Sequence, residues 1–129
     1  MAYQPQTFAG TGRLIAVALR EGADPFIPIR DLLDDYRQTE SVARRLLSIE
    51  EPAPTGEVRF DAYLAALAEH FATQDGYAPP AWVEGPGRFL ERSWFREPRE
   101  GFWPMALVQT PPAFRRRLVF IEESEFERV

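Results

Sequence analysis

The chain has 129 residues, of which 45% are hydrophobic and 27% are charged, with a formal net charge of −5. This balance is typical of a globular domain and argues against disordered and membrane-embedded classes. The absence of cysteine excludes disulfides, thiolate nucleophiles and cysteine-bound metal centres. Residues 1–22 lack the features of a signal peptide, and the apolar run 14–19 is too short to cross a bilayer. We therefore expect a cytoplasmic protein with no membrane contact.

Two amphipathic helices are predicted near the N-terminus. In residues 11–20 the apolar side chains recur on one helical face, and Gly22 is placed as a C-terminal stop. Asp24 and Pro25 resemble a cap followed by proline in the first turn, but Pro28 interrupts, so the second helix is expected to begin near Pro28. Its inward face would comprise Ile29, Leu32, Leu33 and Tyr36. Its side chains in water would be Asp31, Asp34, Asp35 and Arg37.

A third helix is predicted over residues 39–49, with Thr39 as its candidate cap. Its apolar members are Val42, Leu46, Leu47 and Ile49. Arg44 and Arg45 would then point outward. Residues 51–56 hold two prolines and a glycine, which predicts an ordered turn or a short linker. We place the main joint of the chain in this segment.

The clearest helical pattern covers residues 58–73. Its apolar side chains recur at spacings of four, three and four, at Phe60, Leu64, Leu67 and Phe71. Gly76 ends the helix by the left-handed conformation that glycine adopts readily. We expect this helix to form the centre of the core.

Beyond Gly76 the pattern changes to short helical turns that begin near a proline. These turns are predicted over residues 86–92, 104–109 and 111–116. Residues 118–121 form an apolar run typical of a short buried strand, and Ser124 is a candidate cap for a last turn that runs to residue 129. No partner strand is evident, because pairing with residues 57–60 would cost the first turn of the central helix.

Together these elements predict a mainly α fold, a single-domain helical bundle over residues 1–129 with at most one short strand. Residues 11–50 would supply the N-terminal helices. Residues 57–129 would supply the central helix and a loop-rich C-terminal part that is rich in proline, aromatic residues and arginine. The sequence contains no internal repeat and no low-complexity segment.

Catalytic and cofactor chemistry has little support in this sequence. His70 is the only histidine, and its place late in the central helix favours a structural role at the helix end. The adjacent Glu69 faces elsewhere, so a metal site at His70 lacks a second ligand. We therefore predict no enzyme, no metal site and no cofactor. The remaining alternative is an unfamiliar enzymatic site around His70 and nearby carboxylates.

Residues 82–103 are unusual because they combine aromatic and arginine side chains, which are the usual energetic centres of protein interfaces. Residues 88–117 contain seven arginines and three glutamates, a net charge of +4 in an acidic chain. Two interpretations are open: the rings wedge loops onto the helical core, or they form a surface for a partner. The candidate partner-binding residues are Trp82, Arg88, Arg92, Trp94, Phe95, Arg96, Arg115, Arg116 and Arg117.

Three consecutive arginines, Arg115, Arg116 and Arg117, cannot share one helical face. We expect at least one of them to pair with a carboxylate such as Glu122 or Glu123. The functional alternative is an anion-binding patch, for RNA or for an acidic protein surface. The net charge of −5 disfavours general binding to nucleic acid.

The central helix ends in Leu-Ala-Glu-His at residues 67–70, and Ala-Phe-Arg-Arg-Arg follows at residues 113–117. With these two segments as its most specific parts, the chain resembles a group of small, uncharacterised actinobacterial proteins over residues 24–129. Some similar C-terminal regions follow helix-turn-helix domains or accompany nucleotidyltransferase-like toxins, so the resemblance implies an antitoxin-like or regulatory role. Residues 1–50 depart from the regulator pattern because they show no clear helix-turn-helix recognition segment.

These observations predict a non-enzymatic protein-interaction module that uses the half rich in arginine and aromatic residues as its contact surface. The alternative is a nucleic-acid-binding transcriptional regulator that places Arg115, Arg116 and Arg117 on phosphate groups. A protein partner is expected in the first case. The sequence leaves the oligomeric state open.

Overall fold

The computed structural model describes residues 3–97 and 99–126, and within them the protein is mainly α, as predicted. Six α-helices, four 3-10 turns and two strands of two residues make up the regular structure of these residues. The chain divides into two compact units, Met1–Glu57 and Val58–Val129. The boundary between the units lies between residues 57 and 58, directly after the proline-rich segment 51–56, where the main joint is predicted. In the described part of the chain no helix combines the length and the apolar character that crossing a bilayer requires.

The first unit is built on α1 (Phe8–Glu21) and α2 (Phe26–Gln38), which pack against each other. The Thr7 hydroxyl accepts a hydrogen bond of 2.9 Å from the Gly10 N–H and caps the start of α1. Gly22 ends α1 with φ at +71°, which confirms the predicted stop. The helix therefore begins three residues before the predicted segment.

Helix α2 begins at Phe26, and the Asp24 carboxylate accepts the Phe26 N–H at 2.9 Å. Pro28 does not interrupt it, because N–H groups in the first turn of a helix have no intrahelical acceptor. The predicted inward face is confirmed, with these side chains buried: Ile29, Leu32, Leu33 and Tyr36.

Asp35 is buried in α2, so its predicted place in water is wrong. Its carboxylate accepts a hydrogen bond from the Tyr3 hydroxyl and one of 2.7 Å from the Gln6 N–H. These donors lie 32 and 29 residues away in sequence, beyond the reach of any helical pattern. Because two donors satisfy the carboxylate, the cost of removing it from water is offset.

The third predicted helix, residues 39–49, is broken into the four-residue α3 (Ser41–Arg44) and a 3-10 turn over Arg45–Ser48. Of its four predicted apolar members, only Leu47 is buried. The other three are exposed: Val42, Leu46 and Ile49. The predicted orientation of this segment is therefore wrong.

Arg44 explains the orientation of α3. It is half-buried instead of pointing outward, and its guanidinium stacks over the Tyr36 ring at 5.2 Å. It donates hydrogen bonds of 3.0 Å to three backbone carbonyls at the end of α2, those of Tyr36, Arg37 and Thr39. A cation at the C-terminal end of a helix satisfies carbonyls that have no intrahelical partner. These bonds turn the face of Arg44 inward and leave the opposite, apolar face in water.

The second unit is organised by α4 (Val58–Asp75), which matches the clearest helix of the sequence. Gly76 ends it with φ at +76° and donates to the Ala72 carbonyl at 2.9 Å, as predicted. Ten of its residues are buried, and it contacts α6 (Pro112–Arg115) and the 3-10 turn Ala81–Glu84. The predicted centre of the core is thus confirmed for this unit.

A short parallel sheet pairs β1 (Trp94–Phe95) with β2 (Val119–Phe120). Strand β2 lies in the apolar run where a strand is predicted, whereas β1 carries no strand signal in the sequence. The chain between the two strands forms α5 (Trp103–Gln109), which begins one residue before the predicted segment 104–109, and then α6, which lies within the predicted segment 111–116.

Two predicted helical turns of the second unit differ from the structure. Residues 86–92 are not helical, so that prediction is wrong, and the 3-10 turn Ala81–Glu84 precedes them instead. The last predicted turn, 124–129, is a 3-10 turn over Glu123–Phe126, and its remaining residues lie outside the described part of the chain.

Candidate interaction surface

The nine candidate partner-binding residues differ widely in exposure. Three are buried: Trp82, Arg88 and Arg117. Three are half-buried: Trp94, Phe95 and Arg96. Three are exposed: Arg92, Arg115 and Arg116. The buried three cannot touch a partner in this conformation, so the nine do not form one accessible surface.

Arg117 is completely buried in the core of the second unit. Its guanidinium donates to Glu69 Oε1 at 2.6 Å, to the Val83 carbonyl at 2.7 Å and to the Ala113 carbonyl at 2.8 Å. Burial lowers the pKa of Arg117, while the hydrogen bond that Arg117 donates to Glu69 acts in the opposite direction. Arg117 is therefore a structural tie between α4, α6 and the Ala81–Glu84 turn.

Arg116 completes this cluster at the surface. It donates three hydrogen bonds, of 2.6, 2.7 and 2.9 Å, to the carboxylate of Glu84 and one of 3.1 Å to Glu69. The guanidinium carbons of Arg116 and Arg117 also lie 5.0 and 4.6 Å from the centre of the Phe89 ring. We call Arg116, Arg117, Glu69 and Glu84 the Arg117 cluster.

The cluster confirms that the arginine run pairs with carboxylates, but the partners differ from the two suggested by sequence. Glu69 and Glu84 take the place of Glu122, and the side chain of Glu123 lies outside the described atoms. The chain reverses after Arg117 at Leu118, which has φ at +63°, a left-handed conformation unusual for a bulky residue. This reversal turns the chain from α6 into β2.

The aromatic run mainly joins elements within the second unit. Trp94 meets the edges of Phe60 and Tyr63 on α4, with ring centres 5.5 and 6.2 Å apart. Phe95 is stacked on Trp103 at 4.5 Å and on Phe120 at 4.9 Å. These contacts agree with the interpretation that the rings wedge loops onto the helical core.

Arg88 and Trp82 form a second buried cation–π pair. The guanidinium carbon lies 4.8 Å from the Trp82 ring centre, and the Arg88 side chain donates to the Asp61 carbonyl at 3.1 Å. Arg88 is thus held by α4, and the Trp82 ring packs against its guanidinium group. Both residues are buried, with 8% of Trp82 and 3% of Arg88 exposed.

A small polar cavity of about 170 Å³ lies beside β1 and is lined in part by Arg96, Glu97, Glu122 and Glu125. Arg96 and Glu125 form an ion pair of 3.6 Å across it. Its volume is below the roughly 300 Å³ at which small-molecule sites begin. No group of three metal-ligating side chains occurs within residues 3–97 and 99–126.

Among the described residues, His70 contacts three aromatic rings, those of Phe71, Phe114 and Phe126. Its imidazole is stacked on Phe126 at 4.7 Å and meets the edge of Phe114 at 6.1 Å. Burial lowers the pKa of His70. The contacts give the ring a packing role, in place of the helix-end role expected from its sequence position.

Among the described residues of the second unit, the exposed large apolar side chains are concentrated in and just before α5, to which sequence reasoning assigned no function. Its seven residues, WPMALVQ, carry no charge. Its side chains Met105 and Val108 are 52% and 81% exposed, and Leu107 and the preceding Phe102 are also exposed. We call Phe102, Met105, Leu107 and Val108 the α5 face. A two-turn helix whose first six residues are all apolar cannot bury every side, which is the signal that could have revealed this face.

The opposite side of α5 is firmly attached to the unit. Ala106 is buried, and the Trp103 indole N–H donates to the Glu97 carbonyl at 3.1 Å. At the end of α5 the Thr110 hydroxyl donates to the carbonyls of Ala106 and Ile121 and accepts the Ile121 N–H at 3.0 Å. The α5 face is therefore held in place by bonds on its other side.

Two exposed arginines of the candidate set have no carboxylate partner among the described residues: Arg92 and Arg115. Arg115 donates to the Leu107 carbonyl at 2.7 Å and to the Thr110 carbonyl at 3.2 Å, so its charge lies at the C-terminal end of α5. At the other end, Arg99 is stacked on Phe102 at 4.4 Å and paired with Glu97 at 2.9 Å. Arg115 thus places an unpaired positive charge beside the apolar face.

Comparisons with known proteins give no relative for this chain. No protein-family model matches it, and neither the curated proteins nor the solved structures contain a significant match. The resemblance to the actinobacterial group therefore stays a prediction.

Proposed function

We propose that this protein is a non-enzymatic interaction module that docks a partner protein on the α5 face. The proposal depends on one observation: a firmly attached, uncharged helix exposes Phe102, Met105, Leu107 and Val108 to water. Contiguous apolar surface of this kind is a common property of protein interaction sites. Hydrogen bonds and buried side chains already hold the α5 backbone in place. The backbone therefore loses little conformational entropy when a partner binds.

The partner is proposed to be a protein segment that combines apolar side chains with a carboxylate. The apolar side chains would cover Met105 and Val108, which would contribute about 1–2 kcal/mol each on burial. The carboxylate would meet Arg115, which has no acidic partner in the described part of the chain and adjoins the Leu107 carbonyl. An antitoxin-like or regulatory role is the form of this proposal that the actinobacterial resemblance favours.

The alternative, a regulator that binds nucleic acid through the arginine run, has less support. Arg117 is buried and Arg116 is engaged with Glu84 and Glu69, so Arg115 alone is free to meet phosphate. A single phosphate contact gives only weak, salt-sensitive binding. We retain this alternative as an outcome of the experiment and not as a second proposal.

Val108→Asp tests the proposal, because it places a charge in the middle of the α5 face at an 81% exposed position that the fold does not need. Affinity capture from the native host should recover a stoichiometric protein with the wild type and not with this variant. The purified pair should then show a dissociation constant at least about tenfold higher for Val108→Asp by calorimetry. Arg115→Ala should weaken binding less and reduce its dependence on salt.

Val42→Asp is the matched control, since Val42 is also 81% exposed but lies in the first unit. Equal binding by Val108→Asp and wild type would contradict the proposal, as would the absence of any stoichiometric partner. Recovery of nucleic acid, with affinity that falls steeply as salt rises, would favour the regulator instead.

A further inference from the structure

A second apolar surface lies on the first unit, on the outward side of α3 and the turn that follows it. Val42 is 81% exposed, and Leu46 and Ile49 are each more than half exposed. We call these three residues the α3 stripe. Their spacings of four and three place them on one face of a continuous helical path, since the backbone of Ile49 is still helical.

The stripe faces water because the opposite side is fixed. Leu47 and Ser48 are buried there, and Arg44 is bound to the carbonyls at the end of α2. Rotation of α3 to bury the stripe would break these bonds and expose Leu47. The apolar side chains therefore stay outward unless another molecule covers them.

The charges beside the stripe identify a second copy of this chain as the occupant. Arg45 and Glu50 are exposed. The helical path of residues 42–49 places them on opposite sides of the stripe, much as charged residues lie beside the apolar seam of a coiled coil. When two copies lie side by side with their helices parallel about a two-fold axis, Arg45 of each copy meets Glu50 of the other. In an antiparallel pair, by contrast, Arg45 would meet Arg45.

We propose that the protein self-associates through the α3 stripe as a parallel, two-fold symmetric dimer. Such an interface is isologous, so the stripe of one copy covers the stripe of the other. Arg13 of α1 lies 3.8 Å from Glu50 and would leave that carboxylate between two guanidinium groups in the dimer. α1 also exposes Leu14 and Val17. A contact made by three exposed apolar side chains from each copy is small and gives a weak dimer, with a dissociation constant on the order of 10–100 µM.

Sedimentation velocity from about 1 to 500 µM protein tests the dimer directly, because this range spans the expected dissociation constant. Wild type should shift from monomer to dimer as the concentration rises, and Val42→Asp should stay monomeric. Val108→Asp, equally exposed in the second unit, should dimerise like wild type. A monomeric wild type throughout, or loss of the dimer in Val108→Asp but not in Val42→Asp, would overturn the proposal.

Charge reversal tests the identity of the partner and the orientation. Arg45→Glu should raise the dissociation constant about threefold to tenfold, because two like-charge pairs replace two opposite-charge pairs. Because Arg13 lies 3.8 Å from Glu50 in the same copy, the double variant Arg45→Glu/Glu50→Arg is made together with Arg13→Ala, and it should restore the dissociation constant to within about twofold of Arg13→Ala alone. Restoration occurs only if residues 45 and 50 face each other across a symmetric contact, so failure of the double variant would overturn the parallel arrangement.

A thiol placed on the stripe gives an independent measurement of register. The chain has no cysteine, so Val42→Cys introduces a single thiol. In the parallel dimer the two copies of residue 42 are opposite each other, and mild oxidation should give a covalent dimer in high yield. A Val108→Cys variant, oxidised in the same way, should give much less. Equal yields for both variants would contradict the proposal, whereas loss of partner binding without loss of dimerisation would concern only the proposed function.

Discussion

The Arg117 cluster and the α5 face belong to the same unit, but their side chains are satisfied in different ways. In the cluster a whole guanidinium is enclosed, and it donates to one carboxylate and two carbonyls. On the α5 face apolar side chains stay in water, although the helix that carries them is firmly attached. The difference shows that the polarity of a side chain does not by itself decide its burial. The charged Arg117 is enclosed because it has hydrogen-bond acceptors, whereas the apolar α5 face stays exposed because no other element packs against it.

The largest expected effect comes from breaking the cluster. Arg117→Ala empties a fully buried site and removes the donor to Glu69 and to the buried Val83 and Ala113 carbonyls, so the free energy of unfolding should fall by about 3–5 kcal/mol. Arg115→Ala, two residues away at the surface, should lower it by less than about 1 kcal/mol. Urea denaturation followed by tryptophan fluorescence measures both. Similar losses for the two variants would contradict the assignment of Arg117 as the structural tie.

A smaller effect is expected from loosening α5. Thr110→Val keeps the shape of the side chain but removes the hydroxyl bonds to the Ala106 and Ile121 backbone, which should lower the free energy of unfolding by about 1–3 kcal/mol. Thr73→Val is the matched control, because the Thr73 hydroxyl bonds to the Glu69 carbonyl at an exposed position. Its effect should stay below about 0.5 kcal/mol. If Thr110→Val proved as mild as the control, the α5 face would not be anchored as described.

The smallest effect concerns His70 at the edge of the same core, where Phe126 covers it. Burial lowers the pKa of His70 in the folded protein, so the unfolded chain binds the proton more tightly. The contribution of this group to stability is complete above its unfolded pKa, about 6.5, and is lost as pH falls through that value toward the folded pKa. Urea midpoints from about pH 8 to pH 5 should fall more for wild type than for His70→Phe. Parallel curves for the two proteins would contradict a half-buried imidazole whose pKa is lowered in the folded protein.

The spacing of apolar residues predicted which helix faces are buried in α2 and α4. The α4 pattern, the inward face of α2 and the stops at Gly22 and Gly76 are all visible in the sequence, because spacing and capping act over a few residues. The α3 segment shows the limit of this reasoning. Its apolar side chains follow a helical period, but the period cannot tell which side faces the core, and the bonds from Arg44 decide it.

The sequence predicted the region of the chain that holds the candidate site, but not the residues that form it. The sequence indicated that residues 82–117 concentrate rings and arginines, and several of those residues are now seen to be structural. The α5 face went unassigned because composition directs attention to aromatic and charged residues, while the face is mainly aliphatic. Its signal, a short helix without any charge, is weaker than the arginine run beside it.

By itself the amino-acid sequence determined the mainly α class, the central helix and the helix stops at Gly22 and Gly76. Tertiary structure alone decided which charges are enclosed and which apolar groups stay in water. The physical reason is the distance in sequence between partners: Arg117 meets Glu69 across 48 residues and Arg116 meets Glu84 across 32. Local patterns extend over one or two helical turns, whereas burial of a charge depends on donors and acceptors that only the folded chain brings together.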